Sequence, residues 1–155
     1  MQKKSKSFTF DEIKEKLANF CVYQDRCHWD VEKKMREYDL IPEAKDEIFI
    51  YLIQNNFLNE ERFVKSFVRG RFNQKKWGRN KIKMALKQRQ IPEQLIRIGF
   101  EEIDEEEYLK VLEELFVKKQ EELKSETNSF KKNLKLRNYL LQKGFENELI
   151  FDLMR

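Results

Sequence analysis

Glycine and proline are scarce in this chain, four and two among 155 residues. Sheet proteins need both at hairpins and tight turns, so the shortage argues against a β fold. Histidine occurs once, and any imidazole-based dyad or triad would have to be built on His28, beside which no nucleophile motif stands. The two cysteines, Cys21 and Cys27, offer no metal-ligand spacing with it. They fit a reducing compartment, where thiols serve as small apolar side chains. No apolar run is long enough to cross a membrane, and the opening MQKKSKSFTF lacks the apolar core of a signal peptide. Also missing are the phosphate-cradling glycine loop, the zincin helix motif and the glycine–serine elbow. These absences lead us to expect a cytoplasmic protein that is not an enzyme, holds no metal or cofactor and engages no membrane.

What is present favours helices. Thirteen phenylalanines accompany abundant Glu, Lys and Leu, and 40% of the residues are apolar, enough to build a core. The expected fold class is all-α. Three helix starts share one grammar: Thr9 before FDEI, Asn59 before EERF and Asp104 before EEEY. Each sets an N-cap side chain, acids in the first turn to complement the helix dipole, and a large apolar residue four places on, at Ile13, Phe63 and Tyr108. Thr9 with Glu12 also fits a capping box. Downstream, the pairs Val31 and Met35, Ile82 and Leu86, and Leu136 and Leu140 are each four apart, as one buried helix face requires. The segments DLIPE, RQIPE and KGFEN then punctuate the three units, with Pro42 and Pro92 near the first turn of a third helix, where proline is tolerated. This rhythm predicts three tandem three-helix repeats over residues 9–58, 59–103 and 104–155, after a flexible tail over 1–8. Stacked repeats imply an elongated, curved array of either hand. The third repeat is expected to open with a longer helix, from about Glu105 to Lys124, before a polar loop at 125–129.

Charge is sorted along the chain. Arg62 to Gln90 carries eleven Lys or Arg residues and no Asp or Glu, although the whole chain holds 32 basic and 28 acidic residues. Sorting of this kind predicts a local field aimed at a polyanion, since mixed surface charge suffices for solubility. On a helix from Glu60 to about Asn73, Phe63, Val64, Phe67 and Val68 form an apolar stripe, while Arg62, Lys65 and Arg69 share an outward side. On the next helix Ile82, Ala85 and Leu86 face the core, and Arg79, Lys83 and Lys87 line one flank. Between the two, FNQKKWGRNK over residues 72–81 packs Lys75, Lys76, Trp77, Gly78 and Arg79 into a tight turn. Two readings of Trp77 stand at this point. It stacks on a base or a partner beside phosphate-holding cations, or it plugs the core between helices. Gly78 is expected to supply a special backbone angle. Arg71 and Arg89 fall near the apolar stripes and are left out of the face. The acidic run EEIDEEE at 101–107 reads as solvated, helix-capping charge.

Residues 57–96, FLNEERFVKSFVRGRFNQKKWGRNKIKMALKQRQIPEQLI, resemble the RecX family, small bacterial regulators of the RecA recombinase. Gly78, Ile82, Leu86 and Ile91 match that family's pattern. Val31, Met35 and Ile41 fit it in the first unit with one extra residue before the turn, and Leu136, Leu140, Gly144 and Phe145 fit it in the third. The resemblance covers residues from about 10 to 155. It implies three tandem three-helix repeats and a protein that engages RecA filaments on single-stranded DNA; separately, we expect a monomer. It further implies restraint of strand exchange, ATP hydrolysis and coprotease activity in DNA repair and the SOS response. The contact residues come instead from the charge pattern: Arg62, Lys65, Arg69, Lys75, Lys76, Trp77, Arg79, Lys83 and Lys87. The same charge pattern also suits a helical protein that binds nucleic acid without a recombinase, or a repeat scaffold for an acidic protein.

Overall fold

The helix grammar is realised in a computed structural model that describes residues 7–155; residues 1–6 of the expected tail lie outside them. Among the described residues there are nine α-helices and no strand. They are α1 (Phe10–Tyr23), α2 (His28–Met35), α3 (Pro42–Gln54), α4 (Glu60–Asn73), α5 (Arg79–Gln88), α6 (Glu93–Phe100), α7 (Glu105–Glu122), α8 (Ser129–Gln142) and α9 (Asn147–Met154). The three expected caps all form. Thr9 Oγ1 accepts from the Glu12 amide at 3.2 Å, and the Glu12 carboxylate accepts from the Thr9 amide at 3.2 Å, which completes the capping box. Asn59 Oδ1 accepts from the Arg62 amide at 2.9 Å, and Asp104 Oδ2 from the Glu107 amide at 3.0 Å. Pro42 opens α3 and Pro92 caps α6. The long helix α7 stops at Glu122, two residues short of the expected end, and Asn128 caps α8 by accepting from the Lys131 amide at 3.0 Å.

The chain divides into two compact units, with the boundary inside α4 between Phe63 and Val64. In the first, Ile13, Leu17, Ala18 and Cys21 of α1 meet Val31 and Met35 of α2, Ile48 and Leu52 of α3, and Leu58. Phe8, placed in the flexible tail by sequence, packs against this core and sits edge-on to Tyr38, ring centroids 5.9 Å apart. Ordered packing therefore reaches back to Phe8. His28 stacks flat on Phe49 at 5.2 Å, and its backbone amide donates to Glu60 at 3.1 Å. Among the described residues, no group of three or more His, Cys, Asp or Glu is placed to share a metal ion.

The second unit buries Val64, Phe67, Val68 and Phe72 of α4 with Ile82 and Leu86 of α5, Ile96 of α6, Tyr108, Val111, Leu112 and Leu115 of α7, Leu136 and Leu140 of α8, Phe145, and Ile150 of α9. Each such side chain contributes about 1.5 to 3 kcal/mol by leaving water. Tyr108 lies between Phe72 and Phe145, with centroids 5.7 and 5.2 Å away, so an aromatic row ties α4 and α7 to the turn before α9. No helix among the described residues is long and apolar enough to cross a membrane.

Candidate functional site

The basic segment is free of acids in sequence but not in space. Arg62, in the first unit, donates from Nε to Asp25 at 2.7 Å and from Nη2 to the carbonyls of Asn56 and Phe57 at 3.1 and 3.0 Å. It clamps a turn instead of facing outward. Arg69 pairs with Glu102 at 3.3 Å. Lys83 reaches Glu93 at 2.9 Å and Lys87 reaches the same carboxylate at 3.8 Å, the Lys83 hydrogen bond above all holding the Glu93 carboxyl below its usual range. Lys65 is half-buried on α4.

Arg79 is the most committed of these cations. Its side chain is 22% exposed. The guanidinium donates to Glu146 at 2.9 Å and to Glu105, and lies 3.9 Å above the Tyr108 ring. The Tyr108 hydroxyl donates to Glu146 and accepts from the Arg79 amide at 3.1 Å. Burial first, and the Glu146 bond second, push the Tyr108 phenol well above its ordinary value. The run at 101–107 is thus more than capping charge, because Glu102 and Glu105 neutralise two of the cations assigned to the face. An incoming phosphate would have to displace these carboxylates.

The turn between α4 and α5 is different. Lys76 adopts the left-handed region, φ 56°, and the Trp77 amide then reaches the Arg71 carbonyl at 3.1 Å. Lys75 and Lys76 are exposed, and Trp77 is half-buried. Three cations surround the indole: Lys81 Nζ at 4.5 Å from the ring centroid, Arg71 at 5.5 Å and Lys75 Nζ at 5.7 Å. A fourth comes from the end of α8, where Lys143 Nζ donates to the Lys75 carbonyl at 3.0 Å. Desolvation, then the charges of Lys81 and Lys76, hold the Lys143 ammonium below its ordinary pKa. Arg71 also stacks on Phe67 at 4.4 Å, and its buried Nε has no hydrogen-bond partner among the described residues. Desolvation and the nearby Arg89 lower its pKa. Among the described residues none of Arg71, Lys75, Lys76, Lys81 and Lys143 is ion-paired.

Two glycines hold this cluster together. The Gly78 amide donates to the Lys143 carbonyl at 2.7 Å, and the Asn80 amide donates to the Gly144 carbonyl at 2.8 Å. Gly78 has φ −76°, which any residue adopts, so its expected special angle is absent. Space is what it supplies, since a Cβ there would lie 2.3 Å from the Gly144 carbonyl carbon. Gly144 has φ +98° and lies against Lys81. The sequence reading thus named Lys75, Lys76 and Trp77, omitted Lys81 and Lys143, and set Arg71 aside. Gly144 marked the α8–α9 turn, but nothing local indicated that this turn docks on Gly78.

Residues 59–98 match the family model described as RecX, second three-helix domain, and residues 105–154 match that for RecX, third three-helix domain. The chain is 27% identical over 143 residues to the Regulatory protein RecX of Yersinia enterocolitica, covering 90% of this chain and 83% of that one. It is 30% identical over 146 residues to the Regulatory protein RecX of Enterococcus faecalis, covering 94% of this chain but only 54% of that protein, so it spans about half of that longer relative. Its fold is like that of crystalline RecX from Lactobacillus salivarius, with a TM-score of 0.82, 23% identity and 94% of each chain covered. A second crystal structure, of regulatory protein RecX, aligns with a TM-score of 0.83 at 21% identity over 94% of this chain and 71% of that one.

Proposed function

The chain belongs to the RecX family of regulatory proteins, and from that premise we propose that it is a non-enzymatic regulator of the RecA recombinase. On this reading it works in the cytoplasm as a monomer and binds RecA filaments on single-stranded DNA. There it restrains strand exchange, ATP hydrolysis and coprotease activity. One observation supports a polyanionic target such as the filament: a cluster of five cations with no carboxylate paired to it among the described residues, built from the second and third three-helix domains of the family. A cluster of one sign attracts a polyanion more strongly than paired surface charges do, because no resident carboxylate has to leave.

The test is RecA ATPase on single-stranded DNA with stoichiometric protein added, alongside strand exchange and filament lifetime. A fall in all three is expected. No change in any of them would sink the regulator reading. The same cluster also favours a second reading, a nucleic-acid-binding protein that needs no recombinase. Co-sedimentation with DNA alone, RecA alone and the filament separates the two, since a regulator gains affinity when RecA is present.

A further inference from the structure

We propose that the cations around Trp77 form a phosphodiester-binding site that grips a nucleic-acid backbone without touching the bases, Trp77 being the platform that holds the cations in place. The proposal deepens the reading above and rests on it only for the identity of the polyanion.

The geometry separates two uses of the indole. A base-stacking tryptophan presents an open face to the ligand. Here three cationic groups already lie within 6 Å of the ring centroid, the range in which a cation is attracted to the π face. The ring offsets part of the repulsion among Lys75, Lys81 and Arg71, and so lets like charges converge where free lysines would splay. Lys143 shows that the repulsion is not fully offset: its ammonium is partly desolvated and faces the charges of Lys81 and Lys76. Its bond to the Lys75 carbonyl uses one of its three N–H groups and leaves two.

A phosphate fits what remains. It supplies the negative charge the cluster lacks. It also accepts from ammonium groups and from the planar fork of a guanidinium. Arg71 contributes a planar donor lying over Phe67 and near the Trp77 ring, and Lys75 and Lys76 supply exposed ammoniums. The site spans the α4–α5 and α8–α9 turns, so removing the contribution of either turn should weaken it.

Binding of a fluorescein-labelled oligothymidylate is measured by anisotropy across a salt series, without RecA, beside an abasic oligomer of equal length and charge. The two oligomers are expected to bind within about twofold of each other. A deficit of tenfold or more for the abasic strand would show that bases carry the affinity and would overturn the proposal. The double substitution Lys81→Met, Lys143→Met is expected to flatten the dependence of log affinity on log salt by about 1.4, two phosphate contacts on a single strand. An unchanged slope with unchanged helix content would place the site elsewhere. Trp77→Phe is expected to keep most of the affinity and Trp77→Leu to lose it; equal affinity for both variants would remove the platform role. Inorganic pyrophosphate is the competing small anion, and displacement of the oligomer by micromolar pyrophosphate would make this a small-phosphate site. Because RecA is absent from every arm, oligomer binding beside an unaffected RecA ATPase defeats the regulator reading and leaves the site standing. A RecA effect without oligomer binding does the reverse.

Discussion

Gly78 and Gly144 meet backbone to backbone, so closely that a Cβ on Gly78 would sit 2.3 Å from the Gly144 carbonyl carbon and 2.4 Å from the Phe145 nitrogen. Neither atom belongs to a flexible side chain, so neither can step aside. The contact is what sets Lys143 beside Lys75 and Lys81, from opposite ends of the second unit's sequence.

Gly78→Ala is therefore expected to be destabilising although φ −76° suits alanine. Overpacking of a tight contact costs about 1 to 3 kcal/mol. Urea denaturation should show a lowered midpoint. Oligonucleotide affinity should fall with it, because the two turns must part and carry Lys143 away from Lys81.

Leu86 and Arg79 distinguish scaffold from site. Leu86 is fully buried, and Leu86→Ala should cost about 2 to 5 kcal/mol by removing apolar contacts and leaving a cavity. Below its melting temperature, the folded fraction of that variant should bind oligonucleotide with unchanged affinity and salt dependence.

Arg79→Ala should likewise act on stability. It strips Glu146 of its guanidinium partner and removes the cation above the Tyr108 ring, while the backbone amide that donates to the Tyr108 hydroxyl stays, at an expected cost of about 1 to 3 kcal/mol. That figure lies below the range for fully buried pairs because Glu105 is 62% exposed. A thermal melt checks it. A charge reversal at Arg79 consequently reports on folding, whereas reversal at Lys76, exposed and paired with no acid among the described residues, reports on binding.

These contrasts mark where sequence reading reached its limit. The caps at Thr9, Asn59 and Asp104 were legible because a cap and the amide that donates to it lie within three residues, and the buried pairs Ile82 with Leu86 and Leu136 with Leu140 because one helix face repeats every three or four residues. Charge pairing has no such locality. Arg69 finds Glu102, Lys83 finds Glu93, and Arg79 finds Glu105 and Glu146, all outside the acid-free segment. Counting signs along the chain located the basic region but overstated how much of it is open to a ligand. Lys143 was invisible for the same reason, since its place beside Lys81 depends on a turn contact spanning more than sixty residues.

The two thiols carry a pH prediction. Burial above all pushes Cys21 up to about 11 and Cys27 up to about 12, from an ordinary 9.0. A thiol whose folded pKa is raised contributes its full share of stability below pH 9. That share is lost as pH rises through 11 to 12, because the unfolded thiol ionises first. At pH 8 both thiols should resist a disulfide reagent in the native protein and react within the dead time once urea unfolds it. Fast modification of the native protein would contradict the burial of Cys27, which is 0% exposed.

Lys76 sets stability against binding at a single position. It holds φ 56° without being glycine, a conformation that costs an L-residue about 1 to 2 kcal/mol. Asn56 and Gln90 take the same conformation, φ 58° and 59°, in the turns after α3 and α5, so the backbone bend recurs while the cationic side chain does not. Lys76→Gly should relieve the strain and, after the extra freedom glycine gains when unfolded, raise stability by up to about 1 kcal/mol. It should also remove one of the charges that crowd Lys143, so the Lys143 pKa should rise toward its ordinary value. Urea midpoint, oligonucleotide salt slope and the Lys143 titration followed by NMR should move together: a higher midpoint, a slope flatter by about 0.7 and a raised pKa. A variant that gained stability but kept the full salt slope would show that Lys76 lies outside the phosphate path, leaving Lys75, Lys81, Lys143 and Arg71 to carry it.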